Sequence, residues 1–490
     1  MNAMPIGGIS SELENNARSL VPGLEKRRDP GHPKARETRI AIVGFGTVGS
    51  AVARLLSARH DDHGLRIAHV CNRNVARKRV NWMSDAVVWS DDIHHALASD
   101  AEVVVELMGG LDPARELVAA ALRAGKSVVT ANKQLMALHG PELLRLAREH
   151  GQYLGFGACV AGGVPVLSAL QDGLAGDRLV SLHGILNGTC NYILSRIEQA
   201  GATFADGLCE AQQAGYAEAD PTDDVDGLDA AAKLVILARV GLKIEVRASN
   251  VLCRSIRDVA AIDFEHAHDL GCTIRQISIA KLGEKHPGLE TARPFDKLRA
   301  GSGAPGAGPV YLAVQPALVP NDSPFAKISG SQNLVVSTGE FGGDTTFSGF
   351  GAGGDPTAVA VVSDLFQAAS HRHNNHAFAG HHAAAPCELT RDLLAPRYLR
   401  FVVKDQPGII ARISARLAKC DMNIDCVFQK PGHAKSALPF VITLEPCAQS
   451  QIDAAMAEIN HFDFLVEKPL CMPMLGENRF TTEARRPQSF

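Results

Sequence analysis

Between Glu218 and Asp229 the chain sets six carboxylates within twelve residues, Glu218, Asp220, Asp223, Asp224, Asp226 and Asp229, and Lys233 follows four residues later. Positions four apart on a helix share a face, so the Asp229 carboxylate can orient the Lys233 ammonium and ready it for proton transfer. The remaining carboxylates suit a cationic ligand group such as an α-ammonium. The competing reading is a solvated acidic face, the usual fate of a charge run. Tyr216, Pro221 and Gly227 inside the segment, and the apolar helix that follows, weigh against it. A calcium loop is excluded. The register that places Asp224, Asp226 and Gly227 correctly starts at Thr222 and ends at Lys233, where a bidentate glutamate is required.

A second chemical signal is Gly44-Phe45-Gly46-Thr47-Val48-Gly49, directly after the β-branched run Arg39–Val43 and opening a helix. The first glycine permits a tight turn, the second lets backbone approach a pyrophosphate, and the third packs helix on strand. The helix N-terminus then offers free amides to phosphate. An acidic residue about twenty positions further on would select NAD. The chain instead has Asn72-Arg73-Asn74 there, and Arg73 can pair with a 2′-phosphate, which favours NADP over NAD. Arg77, Lys78 and Arg79 read as a solvated face. A third signal is Thr130-Ala131-Asn132-Lys133, just past an apolar strand. Ligands of open α/β sheets sit beyond the carboxyl ends of the strands, so Lys133 is expected over the cofactor crevice.

Strands are expected at Arg66–Cys71, Ala86–Trp89, Glu102–Leu107 and Ser127–Thr130, with helices Val48–Arg59 and Pro113–Ala124 between. That alternation predicts a parallel sheet. The middle third is Ala-rich and helical. From Arg397 the order strand, helix, strand, strand, helix, strand (the last at Phe464–Lys468) predicts a ferredoxin-like unit. The fold class is therefore α/β, in six segments: an N-terminal extension (1–37, with a charged patch at 26–29), a Rossmann-type dinucleotide-binding domain (38–168), an α+β catalytic and dimerisation domain (169–370), a linker (371–396), a ferredoxin-like domain (397–475) and a tail (476–490). The second domain's final helix is expected to return to the first. FDKLRAGSGAPGAGP (295–309) reads as an exposed insertion, and five histidines between Ser370 and Pro386 as part of the linker.

The 490 residues carry 49 Lys plus Arg against 53 Asp plus Glu, a formal charge of −4, and 5% aromatics. Neither a basic footprint nor base-stacking platforms are present, which argues against nucleic-acid binding. Eleven cysteines without a CxxC pair read as reduced thiols. No signal peptide or membrane helix is read, so the expected location is the cytoplasm.

The runs GFGTVG (44–49), VVVELMGG through AGKSVVTANK (103–133), VAGGVPVL (160–167), GILNGTCNYIL (184–194), GYAEADPTDDVDGLDAAAKL (215–234) and GFGAGGDPTAVAVVSDL (349–365) closely resemble the homoserine dehydrogenases. YLRFVVKDQPGIIARISARLA (398–418) resembles an ACT domain, so the monofunctional form with a C-terminal ACT domain is implied. The resemblance implies reversible NAD(P)-dependent interconversion of L-aspartate 4-semialdehyde and L-homoserine, in threonine, methionine and isoleucine biosynthesis. By position it makes Lys233 the general acid/base, Asp229 its orienting partner, Glu218 and Asp224 substrate carboxylates, and Lys133 a bridge between cofactor and substrate. Gly109, Gly351 and Gly353 match glycines beside the cofactor. A monovalent cation, Na or K, is implied at the backbone of Val160, Gly162 and Val164; the glutamate usual three residues before Val160 is here Gly157, which removes a carboxylate. Homodimerisation, and feedback by L-threonine near Asp405, Gln406, Pro407 and Gly408, are also implied. Two rival readings stand against this. An acyl-phosphate-forming semialdehyde dehydrogenase needs a nucleophilic Cys with a His partner, and none stands in such a context. A non-catalytic ACT-containing sensor would not need the intact Glu218, Asp224, Asp229 and Lys233.

Overall fold

The computed structural model describes residues 37–58, 64–283, 308–374 and 384–476. The N-terminal extension through residue 36, the insertion up to residue 307, His376, His381, His382 and the tail from 477 lie outside them. Among the described residues no helix is long and apolar enough to cross a membrane.

Strands β1 (Thr38–Val43), β2 (Leu65–Cys71), β3 (Val88–Ser90), β4 (Val103–Glu106), β5 (Ser127–Thr130) and β6 (Leu154–Gly155) form an all-parallel sheet in the order β3-β2-β1-β4-β5-β6. The chain winds outward from β1 in one direction and from β4 in the other. The gap between the carboxyl ends of β1 and β4 is thus the topological switch point where such sheets bind ligands. β4 and β5 are buried along their whole lengths, as strands covered on both faces must be. Alternate residues serve opposite cores. Ala41, Val43, Val104 and Val128 pack under α2 (Ala114–Arg123) and α3 (Lys133–Glu149), whereas Ile40, Ile42, Val103, Val105 and Val129 face α1 (Thr47–Ala58).

The second unit holds α4 (Gly188–Ala200), α5 (Phe204–Gln213), α6 (Leu228–Leu237) and α7 (Ala261–Asp269). Its sheet has β7 (Leu179–Ile185), β8 (Cys272–Leu282), β9 (Val310–Pro320), β10 (Gln332–Gly339) and β11 (Gly343–Phe350), in the order β11-β10-β7-β8-β9 with every neighbouring pair antiparallel. Short parallel segments, Leu389–Thr390 and Leu252–Cys253, extend it beside β9. Helix α8 (Gly354–Asn374) then leaves this sheet and lays Ala358, Val361, Val362 and Leu365 against the α1 side of the parallel sheet. It runs four residues into the tract expected to be a linker.

The C-terminal unit is β12 (Ala395–Val403), α9 (Ile409–Lys419), β13 (Ile424–Phe428), β14 (Leu438–Cys447), α10 (Gln449–Ile459) and β15 (Leu470–Pro473), with antiparallel strand order β13-β14-β12-β15. One correction is needed: the last strand is Leu470–Pro473, not Phe464–Lys468. Phe464, 1% exposed, drops into the core among Ile413, Leu417 and Ile459. Its segment makes only an isolated bridge, Leu465 to Val403, before the chain pairs fully with β12. The sheet's other face is not free. Tyr398, Val441 and Met472 share a core with Ile193, Ile256 and Phe264 of the second unit. At that seam the Tyr398 hydroxyl donates to Asp263 Oδ1 at 2.8 Å, and Arg400 Nε lies 3.2 Å from the same oxygen.

Candidate functional site

The glycine turn fits a dinucleotide position by position. Gly44 has φ +101°, and a Cβ there would come within 2.5 Å of the Leu107 carbonyl at the end of β4. A Cβ on Gly49 would run into the Gly44 carbonyl, so the third glycine is what lets α1 start so close to the turn. A Cβ on Gly46 would meet no protein atom within 4 Å. Its open face is the approach a pyrophosphate needs. Phe45 N donates to Asn72 Oδ1 at 3.1 Å, which ties the turn to the end of β2, and the first amides of α1 are left for a ligand. Arg73 is exposed one residue beyond that contact, and Arg77–Arg79 are solvated as expected.

Lys133 is placed from below. The buried Glu106 carboxylate accepts from Thr130 Oγ1 at 2.6 Å and from Met108 N at 2.8 Å, which locks the ends of β4 and β5 together. Thr130 Oγ1 accepts from Asn132 N at 3.0 Å. Asn132 caps α3 by accepting from Leu135 N at 3.0 Å. Lys133 is therefore the first residue of a fixed helix, two strands, about 10 Å, from the glycine turn along the carboxyl edge.

Lys133, Asp229 and Lys233 converge. Lys133 Nζ lies 2.5 Å from Asp229 Oδ1, and Lys233 Nζ lies 2.7 Å from Asp229 Oδ2. Lys233 also donates to the Leu186 carbonyl at 2.8 Å. The Asp229 side chain is 7% exposed, that of Lys233 13% and that of Lys133 40%, so the cluster opens on the Lys133 side. The acidic run divides by position. Asp224 joins the cluster through the Asn187 side chain, whose Nδ2 donates to Asp224 Oδ1 at 2.6 Å and to Asp229 Oδ2 at 3.0 Å. Asp226 pairs instead with Arg257 at 3.1 Å, Asp220 accepts from Thr222 N at 3.1 Å, and Asp223 is solvated. Glu218 is exposed on the preceding loop, and its charge reaches Lys133.

Burial alone would raise the Asp229 pKa, but the Lys233 and Lys133 ammoniums outweigh it and hold the carboxyl far below the usual range. Burial likewise pulls Lys133 down, and the Asp229, Asp224 and Glu218 carboxylates more than reverse it, so its pKa is raised. Asp224 goes the other way: burial pushes it up against the Asn187 amide and the two lysines. The arrangement is a firmly anionic hinge between two cations, beside a carboxyl that ionises less readily.

The other expected positions form the rim. Gly109, with φ +72°, follows β4 at the crevice. A Cβ on Gly162 (φ +46°) would come within 2.7 Å of the Gly351 carbonyl, and Gly163 N donates to Phe350 O at 3.2 Å, so the turn at Val160–Val164 packs against the turn of Gly351 and Gly353. At Gly157, where the family's usual glutamate is missing, Asp364 from α8 stands close: its Oδ2 accepts the Gly157 amide at 2.7 Å. Asn187 and the Leu186 carbonyl were not singled out from the sequence. The available signal was an asparagine between a strand and a helix, three residues before Cys190, whose amide its Oδ1 caps at 2.8 Å.

Known proteins share the sequence and fold of this chain over most of its length. The family model described as "Homoserine dehydrogenase, NAD binding domain" matches residues 44–156, and that described as "Homoserine dehydrogenase" matches residues 165–366. A homoserine dehydrogenase of Synechocystis sp. is 34% identical over 455 residues, covering 89% of this chain and 99% of the relative. One of Mycobacterium bovis is 38% identical over 402 residues, covering 80% and 86%. A crystal structure of a homoserine dehydrogenase from Thiobacillus denitrificans superposes with a TM-score of 0.77 at 32% identity, covering 90% of this chain and 98% of that one.

The two turn glycines separate stability from ligand binding. Gly44→Ala should cost about 2–4 kcal/mol in urea unfolding, from backbone strain and the clash with Leu107. Gly46→Ala should change stability by less than about 1 kcal/mol yet weaken NADPH binding, followed by fluorescence titration, at least tenfold. Equal stability losses in both variants would contradict the assignment.

Proposed function

The chain belongs to the homoserine dehydrogenase family, and on that premise we propose how its lysine–aspartate cluster carries the reaction. It is an NAD(P)-dependent oxidoreductase of amino-acid biosynthesis that acts on a CH–OH group, interconverting L-aspartate 4-semialdehyde and L-homoserine. The observation that carries the reading is the pair of ammoniums held on Asp229 beside the crevice of the parallel sheet.

The open face of Gly46 and the first amides of α1 would hold the cofactor's pyrophosphate. When bound, the cofactor supplies a hydride to the aldehyde carbon or takes one from the alcohol. Two of the three N–H bonds of Lys233 are committed, to Asp229 Oδ2 and the Leu186 carbonyl. The third is left for the substrate oxygen. As the carbonyl is reduced, negative charge grows on that oxygen, and Lys233 Nζ stabilises it and delivers the proton; the reverse direction returns the proton to Nζ. Asp229 fixes the direction of the ammonium. Glu218 and Asp224 face the substrate α-ammonium, and Lys133, charged over a wide pH range, bridges cofactor and substrate.

We read the cofactor as NADP in preference to NAD, since Arg73 stands at the end of β2 where the 2′-phosphate falls and no carboxylate occupies that turn. We read the unit from β12 to β15 as a ferredoxin-like ACT module. Its support is the strand–helix–strand–strand–helix–strand order and the left-handed Gly408 (φ +91°) that opens α9 after Asp405, Gln406 and Pro407. L-Threonine is its proposed ligand. A monovalent cation would rest on the carbonyls of Val160, Gly162 and Val164. Consecutive left-handed residues Ala161 (φ +55°) and Gly162 turn this backbone, although the Val164 carbonyl already accepts from Val166 N at 2.7 Å.

Lys233→Ala should lower kcat by about 10²–10⁴ in NADPH oxidation with the semialdehyde, with the Kd for NADPH within threefold of the parent. Turnover near that of the parent would remove Lys233 from this role. Arg73→Ala should lower the ratio of NADPH to NADH efficiency at least tenfold, and an unmoved ratio would reject the 2′-phosphate reading.

A further inference from the structure

The two helices that carry the cluster also border a cavity at their far ends. Helix α6 continues through a wide turn, Ala238–Leu242, which carries Arg239. Helix α3 has Pro141 in its interior, and a proline has no amide to donate to the carbonyl four residues earlier, that of Ala137. Arg239 replaces the missing donor: its Nη2 donates to Ala137 O at 3.2 Å and its Nη1 to Met136 O at 2.8 Å. Gly140 leaves room for this, since a Cβ there would lie 2.7 Å from Nη1.

The guanidinium is thus buried, with the residue 7% exposed, and its Nε has no hydrogen-bond partner. Among the described residues no carboxylate forms an ion pair with it; Glu245 acts on it only through space. Burial accordingly lowers its pKa. A buried cation lacking an ionic partner is costly, and carboxylate or phosphate is the geometric match for a guanidinium. Beside it lies a cavity of about 310 Å³ lined by Arg239, Arg145, Arg148, Lys243, Glu142 and Glu245. Four cations line it against two carboxylates, and one of the cations, Arg145, already pairs with Glu149 at 2.5 Å. One of those carboxylates, Glu142, is already held by Arg115 at 2.8 Å. Lys243 is held in the left-handed region (φ +59°), a conformation costly for a lysine; burial lowers its pKa, and the Asp172 charge opposes this through space.

We propose that this cavity binds a small dianion of the phosphate class, either inorganic phosphate or the phosphate of a small phosphomonoester. The bound anion neutralises Arg239 and braces α3 against α6. Lys133 lies eight residues before Pro141 and Lys233 six before Arg239, so the anion sits about 9–12 Å behind the reacting cluster on the same two helices.

Phosphate can also compete for the cofactor's own phosphate contacts, so the test is run on the full chain saturated with NADPH. Sodium phosphate and glycerol phosphate are titrated at constant ionic strength, with sodium chloride as control, and followed by calorimetry and thermal unfolding. Saturable binding and a rise in Tm specific to the phosphates are expected. The double variant Arg148→Ala/Lys243→Ala, which leaves the Arg239 brace intact, should weaken that binding at least tenfold, and Arg73→Ala should leave it unchanged. If the double variant does not fold, Lys243→Gln alone is expected to weaken it at least threefold. Tighter binding of glycerol phosphate identifies a phosphomonoester as the ligand, and binding of phosphate alone identifies the free ion. No phosphate-specific binding, or binding unaltered in the lysine and arginine variants, would overturn the proposal.

Discussion

One carboxylate shared by two ammoniums organises this molecule. Asp229 reaches Lys233 one helical turn along its own helix and Lys133 at the start of a helix from the other unit, 96 positions earlier in the chain. Burial opposes the Lys133 charge, and the Asp229 carboxylate does most to reverse it. The contact also joins the parallel-sheet unit to the helices of the second unit. A displacement of either unit would therefore be felt at the reacting atoms as well as in the packing.

The surrounding structure keeps that contact in register. Glu106, Thr130 and Asn132 form a chain of short hydrogen bonds that fixes where α3 begins. Asn187 caps α4 with its oxygen and spans Asp224 and Asp229 with its nitrogen, so one side chain sets both a helix start and the spacing of two carboxylates. Helix α8 completes the frame by crossing back to the parallel sheet, where its core residues face Ile40 and Val105. The C-terminal sheet is bound in as well: it shares a core with Ile193 and Val225, and Val225 adjoins Asp224.

Parts of this were legible in the residues, for identifiable reasons. Strands buried on both faces leave continuous apolar runs, so β1, β4 and β5 declared themselves, and the three glycines each met a different steric demand. The pairing of Asp229 with Lys233 followed from helical spacing alone. The long antiparallel strands β8 to β11 were not read, since much of β8 and β9 is buried on both faces and offers no alternation to detect. The final strand was misplaced because Phe464 and Leu465 look like strand residues but serve as core anchors. The Lys133–Asp229 contact was beyond reach, since no local pattern encodes a meeting between elements so distant in sequence.

If Asp229 keeps Lys133 charged and aims both ammoniums, its removal should change how activity depends on pH as well as how large it is. Asp229→Asn keeps the shape and deletes the charge. Burial at Lys133 is then opposed only by the Asp224 and Glu218 carboxylates, so its pKa moves down. The pH profile of kcat/KM between pH 7 and 10 reads this directly. Activity at least a hundredfold lower at pH 7, falling further as pH rises while the unaltered chain holds level, is the expected outcome. A profile that overlays that of the unaltered chain in height and shape would show that the shared carboxylate is not what the chemistry rests on.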